Sequence, residues 1–194
     1  MAGPRSADTR RRILDATRRL LAESGTTGTG LKQIVAASGV AYGSIYHQFP
    51  TGKDELVAAA IEDAGDDLGA LIAHVFDTND SFVAAARAMF DLGGQLLVGT
   101  DFRQGCPIGT ATADGHLVEP VRAAGEAAFA SWIATIARNA ERHGVPAAEA
   151  ERLATAILAL YEGGLLVART AHSLDAMTAA AEAAEQLITA ASGA

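Results

Sequence analysis

The sequence predicts an all-α chain, on three observations. Of its 194 residues 49% are apolar, and alanine, the strongest helix former, supplies much of that share. Only five prolines occur. Valine and isoleucine are scattered, without the sustained alternation that marks strands. The length suits one ordinary domain, or a small one followed by a larger one, and the apolar share is enough for a core.

The first helix is DTRRRILDATRRLLAESG, with Asp8 or Thr9 as its cap and Gly25 as its end. Ile13, Ala16, Thr17, Leu20 and Leu21 share one face, and arginines surround the rest. After the loop TTGTG, a second helix spans Leu31 to Ser38 and buries Leu31, Ile34 and Val35. Gly39 supplies a turn. A third helix, about Tyr42 to Gln48, buries Ile45 and leans on Phe49. Pro50 stops it, and Thr51 with Asp54 reads as a capping box for the next.

The fourth helix is long, about Lys53 to Val75, and the fifth starts at Ser81 and reaches about Val98. The stretch GTDFRQGCPIGTATADGH is irregular, with one short helix after Pro107. Another helix runs from about Leu117 to His143, starting around Pro120. Gly144-Val145-Pro146 breaks it, with Pro146 at the first position of a helix reaching about Thr170. A last helix covers Asp175 to Thr189. These elements divide into a three-helix domain over residues 1–52, with a helix-turn-helix at about 30–49, and a larger helical domain over residues 53–194.

The net charge of −8 conceals an asymmetry. Residues 1–53 hold eight of the 15 basic side chains and three of the 23 acidic ones, a balance of +5. The remainder is −13. A basic end can sit on a polyanion while an acidic body is held off it. The single cysteine, Cys106, excludes an internal disulfide and fits a reducing compartment. No signal segment is visible, and no uncharged apolar run reaches the roughly 20 residues of a membrane span. The expectation is a cytoplasmic chain with no membrane partner.

Two short helices joined by a glycine turn, the second too short to stand alone, form a helix-turn-helix. Such a second helix has to be short and exposed to enter a major groove about 12 Å wide. Ile45 and Phe49 anchor it from behind. Gly43 allows close backbone approach, Ser44 and His47 offer hydrogen bonds, and Tyr42 and Tyr46 offer hydroxyls for phosphate and rings for thymine methyls. Arg10, Lys32 and Lys53 supply charge for phosphates, and the start of the fourth helix supplies N–H groups. The competing reading is a small helical hairpin inside an ordinary bundle. The basic first segment favours DNA.

ILDATRRLLAESG followed by LKQIVAASGVAYGSIYHQFPTGKDEL resembles the DNA-binding domain of the tetracycline-repressor (TetR) family. Ile34, Val35, Ala37, Gly39, Val40, Tyr46, Phe49 and Lys53 fall on that family's pattern, with Val35 in place of its usual alanine and Gln48 in place of a common histidine. The extra glycine in FPTGK, and GCPIGT further on, resemble the LmrA/YxaF-like subgroup. The resemblance implies a homodimeric transcriptional regulator, a repressor released from double-stranded operator DNA by a small hydrophobic or aromatic effector. A helical interaction module, or an enzyme with a degenerate helix-turn-helix, is the alternative.

No catalytic constellation supports an enzyme, and neither a cofactor nor a metal is expected. Cys106 with His116 is a conceivable nucleophile and base, but a lone cysteine before proline more often packs. The five histidines are scattered, with no second ligand near His116 and Glu119 for a metal triad. GTGLKQ lacks the final glycine of a dinucleotide fingerprint, and TGK lacks the earlier P-loop glycine.

A bare DNA reader needs about 50 residues, so the acidic remainder has other work. The helix after Pro146 carries Leu153, Ile157, Leu160, Gly164 and Ala168 along one side, with further apolar residues opposite, which marks burial on more than one face. With Ala184 and Leu187 of the last helix these residues are expected in a dimer interface, as the family resemblance implies. The alternative is that both helices close the core of one chain. The same resemblance implies an effector pocket, for which Phe90, Phe102, Phe129, Trp132 and Tyr161 are candidate lining and Arg122 and Glu162 candidate polar contacts.

Overall fold

A computed structural model of the protein describes residues 4–114 and 117–192. His116, weighed above as a base or ligand, lies outside the described residues, as does the side chain of Arg5. Among the described residues there are nine helices and no strand. They are α1 (Pro4–Gly28), α2 (Leu31–Ser38), α3 (Tyr42–Gln48), α4 (Lys53–Thr78), α5 (Phe82–Gly99), α6 (Pro107–Thr112), α7 (Glu119–Arg142), α8 (Ala147–Ala171) and α9 (Asp175–Ala191).

Helices α2 and α3 have the limits that Gly39 and Pro50 impose. Elsewhere the ends differ from expectation for local reasons. Helix α1 starts at Pro4, since proline fits a helix's first turn, and this leaves Asp8 and Thr9 inside the helix rather than capping it. Its regular part ends at Gly25 (φ 66°, ψ −174°) as expected. Thr51 does not form its box with Asp54. Glu55, four residues on, accepts from the Thr51 amide at 2.8 Å and the Thr51 hydroxyl at 2.9 Å. Ser81 caps α5 by accepting the Ala84 amide at 3.1 Å. Pro146 is the cap of α8 rather than its first residue.

The chain folds as two compact units that do not follow the division at residue 52. The first holds Met1–Asp66 and Cys106–Ala128, the second Asp67–Gly105 and Phe129–Ala194. The division differs because α6 packs along α1 although some 80 residues separate them in sequence. In the first unit Ile13, Leu21, Ile34, Ile45, Phe49, Leu56 and Ile61 form a fully buried core. Two of its glycines serve close packing. A Cβ on Gly125 of α7 would lie 2.5 Å from the Thr112 methyl of α6, and one on Gly65 of α4 would lie 2.9 Å from the Ala128 Cβ.

In the second unit α5 packs against α8 and α9, and α8 against α9. Phe76, Phe82, Phe90, Leu97, Trp132 and Ile157 are buried. Asn139 is buried and donates to the Phe76 carbonyl at 3.1 Å. Helices α5 and α8 are long and apolar enough, by length and composition, to cross a bilayer. Each nevertheless presents a substantial apolar side to its neighbours, and Arg87 of α5 pairs with Glu185 of α9, as expected of core helices in a helical bundle.

The expected dimer set needs correction. Leu153, Ile157, Gly164, Ala168 and Ala184 are buried within the chain itself. Gly164 faces α9, where an added Cβ would lie 3.0 Å from the Met177 sulfur and 3.3 Å from Ala180. An alanine- and leucine-rich helix carries apolar residues on both sides, so its pattern does not say which side meets its own core. Leu160 is half-buried. The large apolar residues left exposed are Leu166 and Val167 on α8 and Leu187 on α9, with Gly163 exposed beside them.

Candidate nucleic-acid interface

Helix α2 begins at Gly30, whose amide donates to the Gln33 side chain at 2.6 Å. It ends at Gly39 in the left-handed conformation (φ 65°), where the Gly39 amide closes on the Val35 carbonyl at 3.0 Å. That conformation is cheap only for glycine and reverses the chain between the two helices. Ile45 and Phe49 are then fully buried, which fixes the opposite face of α3 outward.

On that outward face lie Tyr42 and Tyr46, each nearly half exposed, together with Gly43 and His47. Ser44 is half-buried beside them. The two tyrosine rings are 5.8 Å apart and tilted by 51°. A hydrogen bond with Tyr42, and then its Coulombic effect, hold the Tyr46 phenol above its ordinary pKa. A Cβ on Gly43 would meet nothing, so no packing within the chain requires a glycine there.

The basic residues divide by their use. Lys32 and Arg19 are exposed. Four arginines of α1 instead hold the first unit together. Arg10 lies 4.5 Å above the Phe49 ring and donates to the Gln48 carbonyl at 3.3 Å, at the end of α3. Arg12 donates to the Ser38 carbonyl at 2.7 Å and the Gly39 carbonyl at 3.2 Å. Arg11 and Arg18 pair with Asp63 of α4 at 3.2 and 2.7 Å. Lys53 is half-buried and donates to the Thr26 carbonyl at 2.7 Å. Sequence reasoning missed these commitments. The seven-residue spacing of Arg11 and Arg18, two turns apart on one face, was the available signal for a shared partner.

The expected effector contacts are dispersed. Phe90 and Tyr161 meet edge to face at 5.6 Å, as do Phe129 and Trp132. Phe102 lies 5.3 Å from the His172 ring. Phe90 and Trp132 are buried, whereas Phe102, Phe129, Tyr161 and Glu162 are half-buried. Arg122 belongs to the other unit and is held at the surface by Glu119 and Glu126 of its own helix. Its hydrogen bonds keep the Glu119 carboxyl below the ordinary carboxylate range. A groove of about 600 Å³ between α4 and α7, lined by Asp77, Thr135, Arg138 and Asn139 among others, includes none of the seven expected residues. Among the described residues no group of acidic, histidine or cysteine side chains is arranged to hold a metal.

Comparison with known proteins agrees with this geometry. Residues 13–60 match the bacterial regulatory proteins of the tetR family, and residues 83–183 match the C-terminal domain of LmrA/YxaF-like transcriptional regulators. The chain is 34% identical over 164 residues to the HTH-type transcriptional regulator YxaF of Bacillus subtilis (strain 168), covering 84% of this chain and 86% of that one. A TetR transcriptional regulator from Legionella pneumophila has the same fold, with a TM-score of 0.82, 23% identity, and coverage of 96% and 97% of the two chains. So does the TetR family regulator CifR, solved as a cysteine mutant with a 26-bp double-strand operator DNA, with a TM-score of 0.77, 19% identity, and coverage of 91% and 94%. The exposed face of α3, the buried anchors behind it and the two matched regions together place this chain in the TetR family of DNA-binding transcriptional regulators, in its LmrA/YxaF-like branch, a family of regulators and not of enzymes.

Proposed function

We propose that the protein is a homodimeric, cytoplasmic repressor that leaves its operator when a small hydrophobic or aromatic effector binds. The observation that carries the DNA part is the division of α3. Ile45 and Phe49 are fully buried, while Tyr42, Gly43, Tyr46 and His47 face outward with Ser44 beside them. Such a helix presents hydroxyl, imidazole and ring groups to base edges. Lys32 adds a charge for phosphate. Arg10 and Lys53 act mainly by holding the helices, and Lys53 retains two further N–H donors for a phosphate.

Two copies are needed because a single seven-residue helix reads few base pairs. A symmetric dimer sets two such helices about 34–36 Å apart, on successive major grooves. The uncovered apolar residues of α8 and α9, Gly163, Leu166, Val167 and Leu187, support pairing there, with Leu160 at the margin. For the effector, the aromatic pairs Phe90–Tyr161 and Phe129–Trp132, with Phe102 and Glu162, support a hydrophobic ligand with one polar group. Arg122, engaged with two glutamates, has no part in that site.

The testing experiment is selection of duplexes from a random-sequence pool, followed by sequencing. The proposal expects a palindrome whose half-sites lie about one helical turn apart. Recovery of unrelated duplexes, or of a single half-site, contradicts it.

A further inference from the structure

We propose that Asp114 is a positioning residue for operator binding. From the end of α6 its carboxylate holds the turn that joins α1 to α2, so the helix-turn-helix is set by a residue that lies far beyond it in sequence.

The turn is built to be loose. Three of its residues, Gly25, Gly28 and Gly30, are glycines, which lose the most freedom on ordering. Gly25 breaks α1 with a φ of 66°. What orders the turn comes from elsewhere in the first unit. The Asp114 carboxylate accepts the Thr27 amide at 2.6 Å, across 87 residues of sequence. The Thr26 hydroxyl donates to the Ala111 carbonyl of α6 at 3.0 Å, while the Thr26 carbonyl accepts from Lys53 at 2.7 Å. A Cβ on Gly25 would stand 3.0 Å from the Thr110 carbonyl and 3.2 Å from the Asp114 carboxylate, so α6 approaches the backbone itself. Immediately beyond, the buried Thr29 bonds back to the Gly25 carbonyl at 2.7 Å, and α2 begins at Gly30.

Two of these contacts are charge-assisted, the Lys53 ammonium on the Thr26 carbonyl and the Asp114 carboxylate on the Thr27 amide, and such bonds are about twice as strong as neutral ones. Of these two, the Asp114 bond is the one that ties the turn to α6, beside the neutral bond from Thr26 to Ala111. The geometry makes α6 part of the unit that holds the helix-turn-helix, with Asp114 as its charged attachment to the α1–α2 turn.

The test compares wild type, Asp114→Ala and Asp114→Asn on a duplex that the wild type has selected from a random pool. Asp114→Ala is expected to bind it about tenfold more weakly, with an unchanged dependence on salt, because no phosphate contact is lost. Asp114→Asn keeps a carbonyl acceptor and is expected to recover most of the affinity. Exchange of the Thr27 amide should be slow in wild type and fast in Asp114→Ala. Affinity is measured at a temperature where circular dichroism shows every variant fully folded, so loss of fold cannot imitate the effect. Wild-type affinity in folded Asp114→Ala overturns the proposal, as does Thr27 exchange that is equally fast in wild type. Failure of the wild type to select any duplex would instead overturn sequence-specific DNA binding itself.

Discussion

Arg12 of α1 reaches the Ser38 carbonyl at 2.7 Å and so closes the end of α2 at the turn of the helix-turn-helix. A helix end leaves carbonyls without helical partners, and this guanidinium satisfies two of them, on Ser38 and Gly39. Arg12→Ala is expected to destabilise the protein by about 1–3 kcal/mol. It should weaken operator binding without changing the slope of affinity against salt. Urea unfolding and salt titration of binding check the two parts separately. A slope reduced by about one would instead make Arg12 a phosphate contact.

Gly39 itself is constrained twice. Its φ is 65°, and an added Cβ would lie 2.9 Å from the Arg12 guanidinium. Gly39→Ala is therefore expected to cost about 1–2 kcal/mol from the left-handed backbone alone, and to displace Arg12. Gly43→Ala, where a Cβ meets nothing, is expected to leave stability nearly unchanged and to weaken DNA binding. Equal unfolding midpoints for the two variants would contradict this contrast.

Burial separates two substitutions on adjoining faces of α8. Gly164→Leu should force α8 from α9 within one chain, at about 1–3 kcal/mol, since Met177 and Ala180 leave no room. Leu166→Glu, at a residue 65% exposed in the single chain, should leave the chain folded and produce monomers. Sedimentation at micromolar concentration distinguishes them. A dimeric Leu166→Glu protein would remove this face from the proposed pairing.

Trp132 is the only tryptophan and is buried, with its indole against Gly69 of α4 and its ring edge on Phe129. A compound that displaces operator from the folded protein is expected to change Trp132 fluorescence. A coupling of about 1–3 kcal/mol corresponds to a 5- to 150-fold change in affinity, and linkage requires operator to weaken effector binding by the same factor. Titrations of the effector with and without operator measure it. Identical effector affinities in both would contradict an allosteric release.

What the sequence made legible was whatever local chemistry decides. Gly39 and Pro50 bracket α2 and α3, and Ile45 and Phe49 are large apolar residues in an otherwise polar segment, so the outward face of α3 could be read directly. Non-local commitments could not. Nothing in the run of arginines says that Arg12 meets Ser38, and the two-turn spacing of Arg11 and Arg18 hints at a shared partner without naming Asp63. Nothing near Thr27 points to Asp114. On α8 apolar residues lie on opposite sides, so the pattern alone does not tell that the side of Gly164 is buried and that of Leu166 exposed. Nor does the sequence say which glycines admit a neighbour, as Gly93 admits the Tyr161 ring, and which face open space, as Gly163 does.

The measurement that bears most directly on the account is the ratio of affinities for the selected duplex and a random duplex, taken at one salt concentration for wild type, Tyr42→Ala and Lys32→Ala. Specific DNA readers favour their sites by about 10³- to 10⁷-fold. The wild type is expected to fall in that range. Lys32→Ala should weaken both duplexes alike and keep the ratio, as loss of a phosphate contact does, while Tyr42→Ala should reduce the ratio by about tenfold, the worth of a lost base contact. A wild type that binds both duplexes equally, or a Tyr42→Ala protein that keeps the full ratio, would contradict sequence reading by the exposed face of α3.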